Sequence, residues 1–273
     1  YDIIGDIHGH ASRLESLLKK LGYDHDGHSW RHPERHAIFL GDFIDRGPEQ
    51  VETYELVRGM IDRGSALAVM GNHEFNAVAF KTPHPDCPGE HLRPHSGKNR
   101  QQHAAFLDQV GEDSDLHDEM IAWFKTLPLY LDLDSLRVVH ACWHDRALET
   151  LRSLTDDRQR LTERAWPEVA RKGSEAYEAA ETVLKGLEIP LPDGATFLDK
   201  EHNERGQIRT RWWEEGQATY RSIAMMDEQT RATLPDEEVP AHKLPGYQDD
   251  KPVFVGHYWL RGTPRPMSSK VAC

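Results

Sequence analysis

Cysteine, long apolar runs and basic charge are all scarce in this chain of 273 residues. The three cysteines, Cys87, Cys142 and Cys273, are far apart and odd in number, a pattern typical of a reducing compartment, so we expect a cytoplasmic protein. No stretch approaches the roughly 20 apolar residues that a membrane helix needs, and we expect no membrane association. The formal net charge of −13 lacks the basic footprint of a nucleic-acid binder, so we expect no duplex as a partner.

The chain does contain short blocks in which Asp, His or Asn stands beside glycine. The blocks 5–9 (GDIHG), 41–47 (GDFIDRG) and 71–74 (GNHE) each follow a short apolar run that is typical of a buried strand. Between these blocks, apolar side chains recur at helical spacing over 11–21 and 51–61. The pattern predicts β-α-β-α-β. Because ligands bind at the carboxyl ends of strands in such sheets, we expect the blocks to meet at one edge.

The second half of the chain supplies two more candidate ligands at the ends of apolar runs. His140 ends a predicted hairpin, and His257 follows a short predicted strand. The segment 146–245 between them is rich in charge and in helical periodicity, which predicts a variable, helical insertion. We expect the whole chain, 1–273, to form a single domain around this insertion.

These side chains suit divalent cations, although each has a simpler explanation when it is taken alone. Asp6 and His8 are two residues apart and lie on the same side of an extended segment, where both can reach one cation. A turn with an exposed histidine would look the same. Asp42 is able to bridge two metals, and Asn72 is equally suited to cap a helix. The conjunction of the blocks at strand-plus-helix spacing favours a binuclear centre, which can clamp a phosphoryl group.

The blocks resemble the motifs of the calcineurin-like metallophosphoesterases and, within them, the bacterial phosphoprotein phosphatase type. GDIHG, GDFIDRG and GNHE match the early motifs, the Asp-Arg-Gly ending being specific to that type, and VVH and VGH supply the later histidines. The similarity runs from Tyr1 to about His140 and resumes near Val253. It implies an α/β fold, the metallophosphatase sandwich of two mixed β-sheets flanked by helices, and hydrolysis of phosphoesters.

The resemblance also implies ligands for two divalent metal ions. Mn²⁺ is the expected ion, and Fe or Zn²⁺ would also accept Asp, Asn and His ligands. The ligands implied for the first ion are Asp6, His8 and Asp42, and those for the second are Asp42, Asn72, His140 and His257. In such enzymes a hydroxide between the two metals attacks phosphorus in line with the leaving oxygen.

The resemblance further implies which residues act on the substrate. Arg46 would hold the phosphate oxygens in a bidentate grip, with Asn72 beside it. His73 would protonate the leaving oxygen, and Asp45 would orient that histidine. Trp259 stands where the broader family carries one more histidine ligand, and its indole cannot take that role.

A second phosphate-contacting arginine is expected between the two late histidines. Arg209 and Arg211 are the candidates, because strand alternation would place both on one face. A surface strand that merely carries arginines would explain them as well. The segment 81–100, rich in proline and poor in apolar residues, is expected to be a long loop. Its basic residues, Arg93, Lys98 and Arg100, contact a second phosphate of the substrate or an acidic peptide, or they are solvated charges.

From the sequence alone, three functions stay open. The leading interpretation is a phosphomonoesterase resembling the serine/threonine protein phosphatases, acting on a phosphoprotein. The alternative is a hydrolase that cleaves the phosphoanhydride of a dinucleoside tetraphosphate. The side chains that could stack a nucleobase in that case are Trp143, Trp212, Trp213 and Trp259. The third option, of another class, is a non-catalytic module that binds phosphate through a degenerate metal site.

Overall fold

The structure, a computed structural model, describes residues 1–199, 202–214, 216–260 and 262–273. Its strands are β1 (Asp2–Ile4), β2 (Asp24–His25), β3 (Trp30–Arg31), β4 (Ala37–Phe39), β5 (Ala66–Ala68), β6 (Tyr130–Asp132), β7 (Arg137–Val139), β8 (Glu188–Pro190), β9 (Phe197–Leu198), β10 (Glu204–Arg205), β11 (Gln207–Arg209), β12 (Val253–Phe254) and β13 (Val271–Ala272). Its helices are α1 (Ala11–Lys20), α2 (Gln50–Asp62), α3 (Asn72–Lys81), α4 (Gly97–Val110), α5 (Asp115–Phe124), α6 (Asp145–Arg152), α7 (Trp166–Val169), α8 (Glu175–Lys185), α9 (Tyr220–Ile223) and α10 (Glu228–Ala232). Over the described residues, none of these helices has the length and apolar character needed to cross a membrane.

Three short strands near the N-terminus form the first sheet, in the order β1-β4-β5. All three are parallel, with Asp2 opposite Ala37 and Ala37 opposite Ala66. Parallel neighbours need a crossover connection, and the connections here contain α1 and α2. Each helix buries an apolar stripe against the core, as Leu14 and Leu18 of α1 illustrate. The predicted β-α-β-α-β order is therefore present, with the small β2-β3 hairpin added between α1 and β4.

The second sheet has four strands in the order β13-β12-β7-β6. β6 and β7 form an antiparallel hairpin, whereas β12 runs parallel to both β7 and β13. The predicted α/β sandwich of two sheets flanked by helices is confirmed. One detail differs, because over the described residues the first sheet is parallel throughout and only the second is mixed.

Apolar side chains from the two sheets pack against each other in a small cluster of their own. Its fully or almost fully buried members are Ile38, Leu40, Val69, Leu136 and Val138. A larger cluster joins the first sheet to the surrounding helices. This packing sets β4 of the first sheet beside β7 of the second, so that the loops after both strands lie side by side.

Most of the segment 81–100, residues 82–96, is the loop that its composition predicts, and only the two ends of the segment are helical. α3 extends to Lys81, and α4 already begins at Gly97. Ser96 caps α4 by accepting a backbone N–H through its side chain, which stabilises the first turn. The buried face of α4 carries His103 among its apolar residues, and this polar interruption weakens the helical signal in the sequence.

The segment 146–245 contains strands as well as helices. After α6, α7 and α8, the antiparallel pair β8-β11 places Ile208 opposite Ile189 and Arg209 opposite Glu188. The pair β9-β10 forms a second small ribbon. That this segment is a variable insertion within a single domain stays a prediction.

Candidate metal centre and active site

The candidate ligands lie just beyond the carboxyl ends of strands from both sheets. Those that follow the first sheet are Asp6, His8, Asp42 and Asn72, and those that follow the second are His140 and His257. The buried ones are His8, Asp42, Asn72 and His140. Buried polar groups are costly unless they have partners, so the contacts of each of these side chains matter.

The donor atoms of these residues form two overlapping groups that share Asp42. In one group, atoms of His8, Asp42 and His73 lie within 4.8 Å of one another, and in the other, atoms of Asp42, His140 and His257 do. Asp42 Oδ2 is 3.7 Å from His8 Nε2 and 3.3 Å from His140 Nε2. A carboxylate shared in this way is able to face two cations.

Two of the histidines are oriented as metal-binding histidines commonly are. Nδ1 of His8 lies 2.7 Å from the carbonyl oxygen of Ile44, and Nδ1 of His140 lies 2.5 Å from that of Leu40. When Nδ1–H donates to a carbonyl, the Nε2 lone pair is left as the ligand. His8 Nε2 is buried and has no hydrogen-bond partner among the described residues. A divalent cation would satisfy this atom, so the residues present fit a metal ion.

Asn72 and His257 complete the second group. Asn72 Oδ1 is 3.1 Å from His140 Nε2 and 2.9 Å from His257 Nδ1. Burial, together with positive charge on His140 and Arg209, lowers the pKa of His257 to about 2. A neutral imidazole is the form that binds a cation. The sequence predicts both residues as ligands, and both lie against the group that Asp42 anchors.

Asp6 lies at the same edge but outside both groups. Its Oδ1 accepts the backbone N–H of His257 at 3.0 Å, and its Oδ2 accepts the indole N–H of Trp259 at 2.8 Å. Trp259 is 59% exposed, and its ring lies 4.6 Å from the Arg46 guanidinium carbon. Asp6 therefore fixes the loop after β12, in addition to being a candidate ligand.

The loops after β4 and β5 approach each other so closely that only glycine fits between them. Gly41 has a φ of +88°, and a Cβ there would lie 2.3 Å from the backbone nitrogen of Gly71. The fully buried Glu74 carboxylate accepts the backbone N–H groups of Asp42 and Phe43, both at 2.8 Å, and of Gly71 at 3.0 Å. Burial and the negative charge of Asp42 raise the pKa of Glu74 to about 7.

Glu74 does not figure among the residues that the sequence predicts for the site. A signal for it exists, because it stands three residues after Gly71, the glycine that precedes α3. A Glu at that position is the usual partner in a helix capping box. The motif 71–74 suggests metal ligands, but its last residue, Glu74, holds together the loops that follow β4 and β5.

A row of three side chains, His73, Asp45 and His103, lies beside the metal groups. His73 Nδ1 is 2.5 Å from Asp45 Oδ2, and His103 Nδ1 is 2.7 Å from Asp45 Oδ1. Burial opposes positive charge on His73, but the hydrogen bond to Asp45 and the charge of Asp42 outweigh it and raise the pKa of His73. The sequence predicts the His73–Asp45 pair. It gives no sign of His103, which comes from α4.

The predicted phosphate-binding arginines differ in position. Arg46 is exposed and lines a cavity together with Asn72 and His73. Arg209, at the end of β11, has its Nη1 3.2 Å from His257 Nε2 and its Nη2 2.9 Å from Glu188. Arg211 lies beyond the end of the strand, on the wall of a second cavity. Of the two candidates for the second arginine, only Arg209 contacts a predicted ligand over the described residues.

The four tryptophans named as surfaces for a nucleobase are not equivalent. Trp143 and Trp212 are buried in the core. Trp213 is also largely buried, although it lines the second cavity together with the exposed Trp259. A stacking role is thus restricted to Trp213 and Trp259, whereas Trp143 and Trp212 pack in the core.

A family model described as calcineurin-like phosphoesterase matches residues 1–184 of the chain. The chain belongs to the calcineurin-like phosphoesterase family. The resemblance inferred from the sequence motifs is therefore confirmed, and members of this family of metallophosphoesterases use divalent metal ions. The matched part of this calcineurin-like phosphoesterase contains all the first-sheet ligands and His140, whereas His257 lies outside it.

Curated relatives of this phosphoesterase include several bis(5'-nucleosyl)-tetraphosphatases. The asymmetrical enzyme PrpE of Geobacillus sp. (strain WCH70) is 33% identical over 141 residues, 51% of this chain and 55% of that protein. Its counterpart from Geobacillus thermodenitrificans is 44% identical over 141 residues, with the same shares of 51% and 55%. The symmetrical enzyme of Methylococcus capsulatus is 31% identical over 139 residues, 50% of this chain and 41% of that protein. The chain spans about half the length of the curated relatives it matches.

Among solved structures, a protein serine/threonine phosphatase from Saccharomyces cerevisiae is similar to this phosphoesterase. The match covers 98% of the present chain and 64% of the yeast chain. The sequence identity is 16% and the TM-score is 0.48.

Proposed function

We propose that this phosphoesterase hydrolyses the phosphoanhydride chain of dinucleoside tetraphosphates. The observation that carries the proposal is that the candidate site opens into two separate cavities. Support also comes from the curated relatives, several of which are named as bis(5'-nucleosyl)-tetraphosphatases. The phosphomonoesterase that the sequence first suggests is less well supported than the dinucleoside tetraphosphate hydrolase, which the sequence offers as its alternative.

Different members of the candidate site line the two cavities. The first cavity, of about 730 Å³, is bordered by Arg46, Asn72 and His73. The second, of about 1340 Å³, is bordered by Asp6 and His257 and includes two aromatic walls. Pockets for small molecules commonly occupy about 300–1,000 Å³. A substrate with a nucleoside at each end of a phosphate chain can extend in both directions, whereas a phosphorylated side chain has a single arm to place.

We infer that two divalent cations occupy this site, with Mn²⁺ the first choice and Fe or Zn²⁺ as alternatives. The residues that would hold them are Asp6, His8, Asp42, Asn72, His140 and His257. When bound, such cations polarise the phosphoryl oxygens and lower the pKa of the water that serves as nucleophile. The two overlapping donor groups around Asp42 and the unpartnered His8 Nε2 support this inference.

The remaining roles fall to protein side chains. Arg46, and Arg209 next to His257, would hold the phosphate oxygens and offset their charge. His73, held by Asp45, would donate a proton to the leaving oxygen. A phosphate leaving group is far less basic than an alkoxide, so an anhydride needs this proton less than a phosphoserine does. The demand for His73 therefore distinguishes the two classes of substrate.

The test is hydrolysis by metal-stripped protein to which Mn²⁺, Zn²⁺ or Mg²⁺ is returned. Diadenosine tetraphosphate, a phosphoserine peptide and p-nitrophenyl phosphate are run in parallel. We expect metal-dependent turnover with the highest kcat/KM for diadenosine tetraphosphate. We also expect a loss of about 10²-fold or more in His73→Asn for the phosphopeptide and a smaller loss for the dinucleotide.

The exposed His28 in the β2-β3 hairpin gives a matched control, because His28→Asn changes the same side chain far from the candidate site. A higher kcat/KM for the phosphopeptide would return the phosphomonoesterase to first place. Metal uptake without turnover of any of the three substrates would contradict the proposal and favour a binding module.

A further inference from the structure

The first cavity carries more positive charge than the steps described so far use. Three cationic side chains, Arg46, Arg93 and Lys185, lie on its wall. None of the residues described on that wall is Asp or Glu, although the chain as a whole has a formal net charge of −13. A cationic, carboxylate-free wall in an acidic protein concentrates anions locally.

Among the described residues, Arg93 and Arg46 have no ion-pair partner, whereas Lys185 is paired with Glu181. Arg93 Nη1 donates to Asn76 Oδ1 at 3.1 Å and its Nη2 to Gln102 Oε1 at 3.0 Å, and both acceptors are neutral amides. Within the part of the chain that the structure describes, no carboxylate forms an ion pair with it. The two acidic groups that act on it from further away, Glu181 and Asp45, are already engaged by other side chains.

The guanidinium is also half-buried, which makes an unpaired charge costly. Burial lowers the pKa of Arg93, although its ordinary value is so high that the group stays charged. The two amides turn their oxygens to Arg93, and this leaves the NH₂ groups of Asn76 and Gln102 as further donors. Charge and donors together fit a ligand with several anionic oxygens.

The position of the cavity indicates which anion this is. His73 and Arg46 share its wall with Arg93, so the oxygen that His73 would protonate would lie beside this cavity. Phosphates beyond the cleaved bond, on the leaving-group side, would therefore continue toward Arg93. A phosphomonoester has no second phosphate to reach that far.

We propose that Arg93, Lys185, Asn76 and Gln102 form a second anion subsite, which binds the polyphosphate portion of the leaving group. This proposal rests on the proposed function for its natural ligand. Four parts of the chain contribute to the subsite: Asn76 from α3, Arg93 from the segment between α3 and α4, Gln102 from α4, and Lys185 from the end of α8. It would give a phosphoanhydride chain an advantage over a phosphomonoester.

The test compares Arg93→Gln with Arg152→Gln, a matched change at an arginine whose side chain is 72% exposed and paired with Glu149. Inhibition by inorganic tripolyphosphate and by inorganic phosphate is measured with p-nitrophenyl phosphate as reporter and Mn²⁺ in excess over the probe. We expect the inhibition constant of tripolyphosphate to rise about tenfold more than that of phosphate in Arg93→Gln, and neither constant to change in Arg152→Gln.

Equal changes in the two constants, or none for tripolyphosphate, would overturn the subsite. Lys185→Gln provides a second variant with the same expected direction if Arg93→Gln proves unstable on thermal unfolding. Because the reporter is a monoester, the result does not depend on turnover of a dinucleotide. A failed assay with diadenosine tetraphosphate would thus count against the proposed function, and an unchanged tripolyphosphate constant against the subsite.

Discussion

The two sheets hold their candidate ligands in different ways. Around the first sheet, the buried Glu74 accepts three backbone N–H groups from the loops that follow β4 and β5. The loop that follows β12 in the second sheet is held partly from outside. Asp6 of the first sheet accepts the N–H of His257 and the indole N–H of Trp259, in addition to the backbone bond from Gly256 N–H to the His140 carbonyl within the second sheet. The first sheet thus supports its own loops, and the second depends on the first.

Backbone conformation makes this dependence more important. His257 and Trp259 have φ angles of +66° and +48°, in the left-handed region that side-chain-bearing residues adopt only at a cost. The Asp6 carboxylate supplies contacts that offset this cost. Damage to the first sheet should therefore spread to the second, whereas damage to the second should stay local.

The largest effect is expected at Asp42, where the ligand groups of both sheets meet. Asp42→Asn removes the negative charge shared by the two groups, and we expect activity with Mn²⁺ to fall by about 10³-fold, or about 4 kcal/mol of transition-state stabilisation. Asp24→Asn, at an exposed residue of β2, is the matched control. Activity of Asp42→Asn within about tenfold of wild type would mean that this carboxylate is not shared.

The next effect tests the dependence of one sheet on the other. Glu74→Gln turns an amide NH₂ toward backbone donors, so we expect the free energy of unfolding to fall by about 3 kcal/mol. We also expect metal content, measured by elemental analysis, to fall for both groups. His257→Asn should remove only part of the metal and leave the first group occupied.

Full metal content in Glu74→Gln would contradict the dependence of the second sheet on the first. Complete loss of metal in His257→Asn would contradict it as well. Glu15→Gln, at a half-exposed glutamate of α1, controls for the loss of a surface charge.

A smaller effect is expected at His103, which acts through Asp45 and is a positioning residue. His103→Phe keeps a ring between Phe80 and Phe106 but removes the donor to Asp45, and we expect kcat for the phosphopeptide to fall about tenfold with little change in KM. His103→Asn retains an N–H donor near the Nδ1 position and should recover part of the loss. Equal losses in both variants would indicate a purely structural role.

The smallest effect is expected at Trp259, one of two contacts between Asp6 and the loop after β12. Trp259→Phe keeps a ring over Arg46 but removes the indole N–H, and we expect activity to change by less than about threefold. Hydrogen exchange of the backbone amides in 256–260 should nevertheless become faster, because the loop loses a hydrogen bond. Unchanged exchange would show that the indole contact does not help to hold the loop.

The same contrast explains what the sequence could predict. The first-sheet ligands follow apolar runs at the regular spacing of a strand and a helix, so strand, helix and site all agree with one local pattern. His140 and His257 were predicted from short motifs, but their pairing through β7 and β12 is a contact between distant parts of the chain. The assignment of catalytic and metal-binding roles to these residues stays a prediction.

The supporting side chains were harder to predict, for a physical reason. His103 and Gln102 come from α4, whose buried face mixes a histidine with apolar residues and so lacks a clean helical period. For Arg93 the sequence favours a solvated charge over a substrate contact, because its sequence neighbours do not reveal which side of the loop faces the cavity. Arg209 and Arg211 are likewise indistinguishable in the sequence. The structure separates them, because β11 ends at Arg209 and Arg211 lies beyond the strand.

The first turns of α3 have a consequence for the length of the substrate. His73 and Asn76 are three residues apart on this helix, and both line the first cavity. Residues at this spacing share a helix face and are offset along its axis by about 4.5 Å. Under the proposed function, these two side chains of α3 would lie beside successive phosphates at a fixed spacing. Part of the preference for chain length would then be built into rigid helical geometry, and the rest would depend on Arg93 in the segment between α3 and α4.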